Sequence, residues 1–458
     1  MSHSVPEQPP STYPDVERAL LARWPETRLE PSLDRISAFT ELLGEPQRAY
    51  PVVHLTGTNG KTSTSRMIDT LVRAAGLRTG RFTSPHVESM TERICLDGDP
   101  LSEEQFVEAY RDVEPLVRMT DEESAFPLSF FETVVGMAYA AFANAPVDVA
   151  VVEVGMGGTW DATNVADATV AVILPIAVDH SAYLGARPVD IAREKAGIIK
   201  PGSTVVCAAQ AEDVAAVILE RAAEVGATVL WEGRVFGVEH RVPAVGGQML
   251  RLRGLRGEYD EVFVPLYGAH QGQNAAVALA AVEALLGRAD GEPLDADLVR
   301  EAFEQVTSPG RLEVVRRSPT IVLDAAHNPH GAEALVAALE DSFTFSPLVG
   351  VVAVMADKNY ETVLSILEPA MAAIVCTSNS TSRSLPAEEL AEVARGIFGI
   401  DRVYVAPRLD DAIDQAATLA EEGGIFGEAI GSGAVLVTGS VVTVGDARRL
   451  LRPRERAT

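Results

Sequence analysis

Cysteine is scarce here: Cys95, Cys207 and Cys376 are the only three in 458 residues. They lie far apart, form no C-x-x-C pair and show no metal-ligand spacing, so neither a disulfide framework nor a thiolate metal site is expected. An odd count suits a reducing compartment, and all three read as small buried apolar side chains. Long apolar runs are also missing. None reaches the roughly 18–20 residues that span a bilayer, and the opening stretch MSHSVPEQPPSTYPD lacks the apolar core of a signal peptide. A cytoplasmic location is the expectation. Basic residues are outnumbered, 38 Lys and Arg against 65 Asp and Glu, for a net charge of −27. Such a surface repels phosphate backbones and anionic membranes, which argues against general nucleic-acid or membrane binding. Any anionic substrate then needs a locally basic pocket. There is no internal repeat and no low-complexity core segment.

A chain this long exceeds one ordinary core, so two domains are expected. Residues 1–14 read as a disordered tail from their Pro, Ser and Gln content. Helical spacing begins near Val16, and Leu33, Ile36, Phe39 and Leu43 follow at three- and four-residue steps up to Gly44. Short apolar runs at Val147–Val154, Ala168–Leu174 and Thr204–Ala208 are of the kind that fill buried parallel strands. A helical pattern at Phe130–Phe142 lies before them. Residues 232–266 change to period-two runs separated by Gly, which predicts antiparallel strands packed on the sheet edge. Helices follow at about 273–286 and 296–305. The turn Thr307-Ser308-Pro309-Gly310 marks the boundary between domains 15–307 and 308–458. Beyond it strand and helix alternate again from Ile321 to Thr438. The expected fold is α/β: a P-loop-type doubly wound N-terminal domain with a small antiparallel extension, and a smaller Rossmann-like C-terminal domain. The loops after the strands' carboxyl ends should then form the site.

The string Val52-Val53-His54-Leu55-Thr56-Gly57-Thr58-Asn59-Gly60-Lys61-Thr62-Ser63 is the strongest local signal. A β-type run ends in a Gly-containing turn, and Lys61 opens a helix. Backbone N–H groups in such a turn converge on an anion, the Lys61 ammonium can reach outer phosphates, and the Thr62 hydroxyl can sit on Mg²⁺. A nucleoside triphosphate is the implied ligand. Leu55 stands where the common G-x-x-x-x-G-K-[ST] pattern has Gly. Further along, the run VDVAVVEV ends at Glu153, a hard oxygen ligand placed for Mg²⁺. Gly155-Met156-Gly157-Gly158 allow close approach to the backbone. The next run, AVILPIAVDH, reads as a strand ending at Asp179-His180. Lys195 falls in a helical segment, and Ser84 follows another strand. All of these lie at the ends of successive α/β elements, on one rim of one sheet.

The ordered set GTNGKTS, TSPHVESMTERI, LSFFET, VVEVGMGGTWDATNV, DH, IAREKAGIIKPG, HQGQNA, SPGRLEVV, DAAHNPHG and DK resembles folylpolyglutamate synthase, including its bifunctional dihydrofolate synthase form, within the Mur peptide ligases. The resemblance covers about Leu29 to Arg448. Departures are Ala325 where many relatives carry Gly, Thr159-Trp160 where many carry Arg-Leu, and Ser63. The resemblance implies ATP and two Mg²⁺ ions. Gly57, Thr58, Asn59, Gly60, Lys61 and Thr62 would hold the ATP phosphates, with Asn274, Arg311 and Asp324 as further ATP contacts from both domains. Ser84, Glu153 and His180 would hold magnesium. A carbamylated Lys195 would supply an anionic oxygen, because histidine is an unusual ligand for a hard cation.

The implied reaction is attack of a substrate carboxylate on the γ-phosphate, then of the L-glutamate amine on the acyl phosphate. His327 is the candidate base, with capping of a helix start as its structural alternative. Arg383 and Ser440 are candidate contacts for the glutamate carboxylates. Glu30-Pro31-Ser32, Ser129-Phe130-Phe131-Glu132 and Trp160-Asp161-Ala162 would line a pteroate pocket. Phe130 and Phe131 offer flat apolar faces, but equally suit plain core. Tetrahydrofolate, dihydropteroate and L-glutamate are the implied small-molecule substrates of a monomer. Two other readings compete with this one. A Mur-type enzyme acting on a UDP-sugar peptide needs an N-terminal uridine-nucleotide domain, and only about 50 residues precede the phosphate loop. A non-catalytic nucleotide-binding regulator would be expected to lack one of Lys61, Glu153, His180 or Lys195.

Overall fold

The computed structural model describes residues 10–25, 30–287, 291–421 and 433–452. The chain divides into two units, residues 1–240, 250–262 and 273–306 in one, and 241–249, 263–272 and 307–458 in the other. The turn at Thr307–Gly310 predicts a single boundary, at 307/308. The two units divide at 306/307, and residues 241–249 and 263–272 also belong to the second.

The first unit is built on an eight-stranded sheet: β1 (Val52–Thr56), β2 (Thr79–Phe82), β3 (Ile94–Leu96), β4 (Asp99–Pro100), β5 (Val149–Glu153), β6 (Ala168–Ile173), β7 (Thr204–Cys207) and β8 (Thr228–Trp231). Their spatial order is β4-β3-β2-β5-β1-β6-β7-β8. Six strands are parallel, and β3 and β4 add an antiparallel edge. Both VVHLT and VAVVE are buried at every position, as strands covered on both faces must be. The helices are α1 (Tyr13–Leu21), α2 (Asp34–Leu42), α3 (Lys61–Ala74), α4 (Glu103–Glu123), α5 (Phe130–Asn144), α6 (Ser181–Leu184), α7 (Pro188–Lys195) and α8 (Glu212–Val225). Apolar residues of α1, α2, α4 and α5 share one cluster with Val52, Ala150 and Val152. Those of α7 and α8 pack with Ala171, Ile173, Val205 and Cys207.

Three expectations change. The tail is shorter, because α1 already starts at Tyr13; Pro14 lies in its first turn, where a missing N–H costs nothing. Residues 1–9 of that stretch lie outside the described residues. Strand β6 stops at Ile173 instead of running to His180. Pro175 cannot donate to a ladder, and its carbonyl accepts from the Thr58 N–H at 3.0 Å. Finally, β9 (Gly237–Ala244), β10 (Gly247–Arg253) and β11 (Glu258–Val264) form a sheet of their own and do not extend the main edge. β9 is exposed or half-exposed along most of its length, unlike a strand flanked by helices. Helices α9 (Ala269–Leu286) and α10 (Ala296–Glu304) follow.

The second unit carries β12 (Glu313–Arg317), β13 (Thr320–Leu323), β14 (Leu348–Val352), β15 (Ala373–Cys376), β16 (Val403–Val405) and β17 (Ala434–Thr438), ordered β12-β13-β17-β14-β15-β16. Only β12 is antiparallel to its neighbour. Its helices are α11 (Pro329–Ser342), α12 (Tyr360–Leu367), α13 (Ala387–Phe398), α14 (Leu409–Glu421) and α15 (Val441–Leu451). Val322, Val352, Ile374 and Leu436 of neighbouring strands form its core with Leu335, Leu364 and Leu390. All three cysteines are unpaired and buried. No described helix is long and apolar enough to cross a membrane.

Candidate active site

In the first sheet the chain leaves β1 to one side, for β2, and returns on the other, at β6. Open α/β sheets bind ligands at the carboxyl ends of such a switch point. There Gly57–Gly60 form the turn into α3. Gly60 has φ 87, and a Cβ on it would lie 2.8 Å from Asn274 Oδ1, so conformation and close approach both require glycine. The first-turn N–H groups of α3 and its dipole open at this turn. The Lys61 ammonium lies back on its own loop, donating to the carbonyls of Gly57 (3.0 Å) and Thr58 (3.4 Å). Thr62 Oγ1 donates to the buried Glu153 carboxylate at 2.9 and 3.1 Å. The Thr58 hydroxyl is committed elsewhere, bonded to both the carbonyl and the N–H of Ala177 at 2.9 Å. It pins the segment leading to His180 onto the phosphate loop.

Lys195 ends α7 and donates from Nζ to Gly57 O at 2.9 Å, the same carbonyl that holds Lys61. It is only 4% exposed. Burial, and then the Lys61 charge, push its pKa down to about 7. The loop after β5 lies directly on this helix end. A Cβ on Gly158 would stand 2.7 Å from Glu194 O and 2.8 Å from Lys195 O. The Thr159 N–H and hydroxyl both donate to Glu194 O, at 3.0 and 3.1 Å.

The remaining first-unit candidates are more dispersed in role. Ser84 follows β2 and is half-buried. His180 has φ 51 and heads the single-turn helix α6; its Nε2 is 3.9 Å from Asp179 Oδ2. Among the described residues no three His, Cys, Asp or Glu side chains gather as a metal-ligand group. Glu153 and Thr62 are the hard-oxygen donors the structure does bring together. Ser129 and Glu132 form a capping box at the start of α5, and Glu132 also accepts from Arg35 Nε at 3.1 and 3.3 Å. Arg35 Nη2 donates to the Glu30 carbonyl at 3.0 Å, and Ser32 Oγ accepts from Asp34 N at 3.0 Å. Pro31 is exposed. Asp161 is buried and accepts from the N–H groups of Met156 and Thr163, each at 2.9 Å. Phe130 and Ala162 belong to the apolar core. Phe131 is partly buried, edge-on to Phe82 with centroids 5.8 Å apart, and Trp160 is half-buried. Of these three rings, Phe131 and Trp160 are thus less buried than Phe130.

In the second unit Asp324 follows β13 and accepts from the N–H groups of Leu312 and Ala326, each at 2.9 Å. Burial raises its pKa, and the Arg311 charge opposes the shift. His327 Nδ1 lies 2.9 Å from Ala325 O. A carbonyl only accepts, so Nδ1 is the donor in this contact. The helix cap is Asn328, not His327. Arg383 Nη2 contacts both oxygens of Asp357 at 2.8 Å. Ser440 caps α15 and meets Asn379 Nδ2 at 3.3 Å. Asp357 and Asn379 were not singled out from sequence, although Asp357 stands in the quoted DK pair.

Residues 310–441 match the model of the Mur ligase glutamate ligase domain. Over 452 residues the chain is 50% identical to the Mycobacterium tuberculosis dihydrofolate synthase/folylpolyglutamate synthase, covering 95% of this chain and 93% of that one. The chain belongs to the dihydrofolate synthase/folylpolyglutamate synthase family. A Lacticaseibacillus casei member named folylpolyglutamate synthase is 34% identical over 77% of this chain and 82% of its own. The family's M. tuberculosis folylpolyglutamate synthase, solved with ADP and AMPPCP, superposes with a TM-score of 0.91 at 49% identity, over 96% of this chain and 98% of that chain. The α/β architecture expected from sequence is thus the family's own.

Proposed function

We propose that this chain is an ATP-dependent ligase that adds L-glutamate to tetrahydrofolate and to dihydropteroate through an acyl phosphate. The observation that carries this reading is the phosphate loop, with Lys61, Thr62–Glu153 and Lys195 converging on it, in a chain alike to its dual-named relative over nearly its whole length. Acceptance of dihydropteroate is favoured because the 50% relative carries both names and the 34% relative only one.

The α3 N–H groups take the phosphates, and Lys61 exchanges its loop carbonyls for phosphate oxygens. Asn274, Arg311 and Asp324 are assigned to the nucleotide. The buried Glu153 carboxylate and Thr62 hydroxyl suit a hard divalent cation; they would hold Mg²⁺, with Ser84, His180 and Lys195 as the other assigned ligands. When bound, magnesium neutralises charge on the transferring phosphoryl group. Phe131 and Trp160 face the acceptor's ring system. The acceptor carboxylate oxygen attacks the γ-phosphorus, and ADP leaves. His327 Nε2 then takes the proton from the glutamate amine, whose lone pair attacks the acyl carbon as phosphate departs.

The decisive measurement is ADP release at constant L-glutamate with dihydropteroate, tetrahydrofolate or a UDP-muramyl peptide as acceptor. Release with both of the first two is expected. Release with the muramyl peptide alone would overturn the folate assignment. The acidic composition argues against binding to nucleic acid or anionic membrane, and the free thiols suit a cytoplasmic enzyme; we take it to act as a monomer.

Arg383 gives a smaller prediction. An exposed Arg–Asp pair contributes about 0–1 kcal/mol, so a substrate carboxylate can displace Asp357 at little cost. Asp357→Asn is expected to lower the KM for L-glutamate by up to about fivefold, whereas Arg383→Gln raises it. A higher KM in both variants would mean that Asp357 orients Arg383 instead of competing for it.

A further inference from the structure

A buried chain of hydrogen bonds joins the strand beneath the phosphate loop to the loop that follows Glu153. His54 lies within β1 and is fully buried. Its Nε2 is 2.8 Å from Thr163 Oγ1. The Thr163 hydroxyl also bonds Asp161 Oδ1. Asp161 also accepts from the N–H groups of Met156 and Thr163. Both carboxyl oxygens are taken up as acceptors of backbone N–H groups, Oδ2 from Met156 and Oδ1 from Thr163, and the Thr163 hydroxyl adds a further donor to Oδ1. Thr163 therefore donates to Asp161 and can only accept from His54. That direction fixes His54 as the neutral tautomer with its proton on Nε2. Nδ1 is buried and has no hydrogen-bond partner among the described residues, so it offers no second way to hold the ring. Burial and the Lys200 charge keep the imidazole far below its ordinary pKa, at about 3.

The same loop is tied to β1 a second time, where Thr56 Oγ1 donates to Gly157 O at 2.9 Å. Thr56 holds the loop's middle. The His54–Thr163–Asp161 chain holds both its start, through Met156 N, and its end. Trp160 lies between these ties, and Phe131 packs against Gly155.

We propose that His54 is a positioning residue: its Nε2–H, acting through Thr163 and Asp161, sets the Gly155–Trp160 loop over the phosphate loop and thereby the placement of the acceptor substrate. This rests on the reading above in which Phe131 and Trp160 face the acceptor ring.

Glutamine and leucine at position 54 separate this role from simple packing. The Gln side-chain amide can present a donor where Nε2–H stands; Leu fills the volume without one. In His54→Leu the KM for tetrahydrofolate is expected to rise about tenfold, the usual cost of one lost buried hydrogen bond. The KM for ATP should change less than threefold, and His54→Gln should recover most of the loss. Thr163→Val breaks the chain at its middle and should reproduce the leucine variant; it carries the test if that variant does not fold. Equal KM changes in the Gln and Leu variants, or parallel changes for ATP and tetrahydrofolate, would overturn the proposal. Wild-type protein that releases no ADP with tetrahydrofolate would instead sink the ligase reading itself.

Discussion

Lys61→Ala is expected to lower acceptor-dependent ADP release by about a thousandfold or more, the scale on which a cation set against a transferring phosphoryl group matters. The fold should survive the change. Lys61 is half-buried, and its ammonium donates to Gly57 O and Thr58 O of its own loop. Melting should therefore stay near the wild-type temperature while turnover vanishes. Arginine is not expected to substitute, because a planar fork cannot occupy the site of a compact point charge. Turnover in Lys61→Ala equal to wild type would contradict the phosphate-loop assignment, whatever else the chain does.

The parallel strands were readable because β1 and β5 through β7 are near-continuous apolar runs, which only a doubly covered sheet produces. The phosphate loop was readable because its parts are contiguous, from Thr56 to Ser63. Helix α4 was not singled out. Its buried side chains Phe106, Val107, Tyr110, Val113 and Val117 keep helical spacing, but they are spread among acidic residues and interrupted by Pro115. The apolar run AVILPIAV outlasts β6, which ends at Ile173 because Pro175 cannot extend a ladder. Ser129-Phe130-Phe131-Glu132 carried a capping-box pattern, and the structure uses two of its four side chains for that purpose. The ties that organise the site join residues far apart in sequence: His54 with Thr163, Thr62 with Glu153, Lys195 with Gly57. No local pattern encodes such pairs. The ends of elements can be read from sequence, but which ends meet depends on strand order.

Lys195→Ala is expected to lower turnover about a hundredfold or more, and short-chain carboxylic acids or their salts should restore part of it. The reason is a charge conflict visible in the structure. Two ammonium groups share the Gly57 carbonyl, one of them almost wholly buried. Burial and Lys61 together bring Lys195 to a pKa of about 7, so near neutral pH much of it is the free amine. That amine can attack the carbon of CO₂, releasing one proton to solvent and leaving a carbamate. The local charge then changes from positive to negative, and repulsion toward Lys61 becomes attraction. The carbamate also supplies the anionic oxygen that a hard cation prefers to histidine. Linkage gives a second readout in CO₂-free buffer. Between pH 7 and the ordinary lysine pKa of about 10.5 the unfolded chain binds the extra proton, so the stability cost of burying Lys195 shrinks as pH rises. Wild type should thus gain melting temperature relative to Lys195→Met from pH 7 to about 9. Unchanged turnover in Lys195→Ala would remove the carbamate. A loss that neither carboxylates nor bicarbonate relieve would leave Lys195 acting as a cation, and the reversal of charge at Gly57 would not occur.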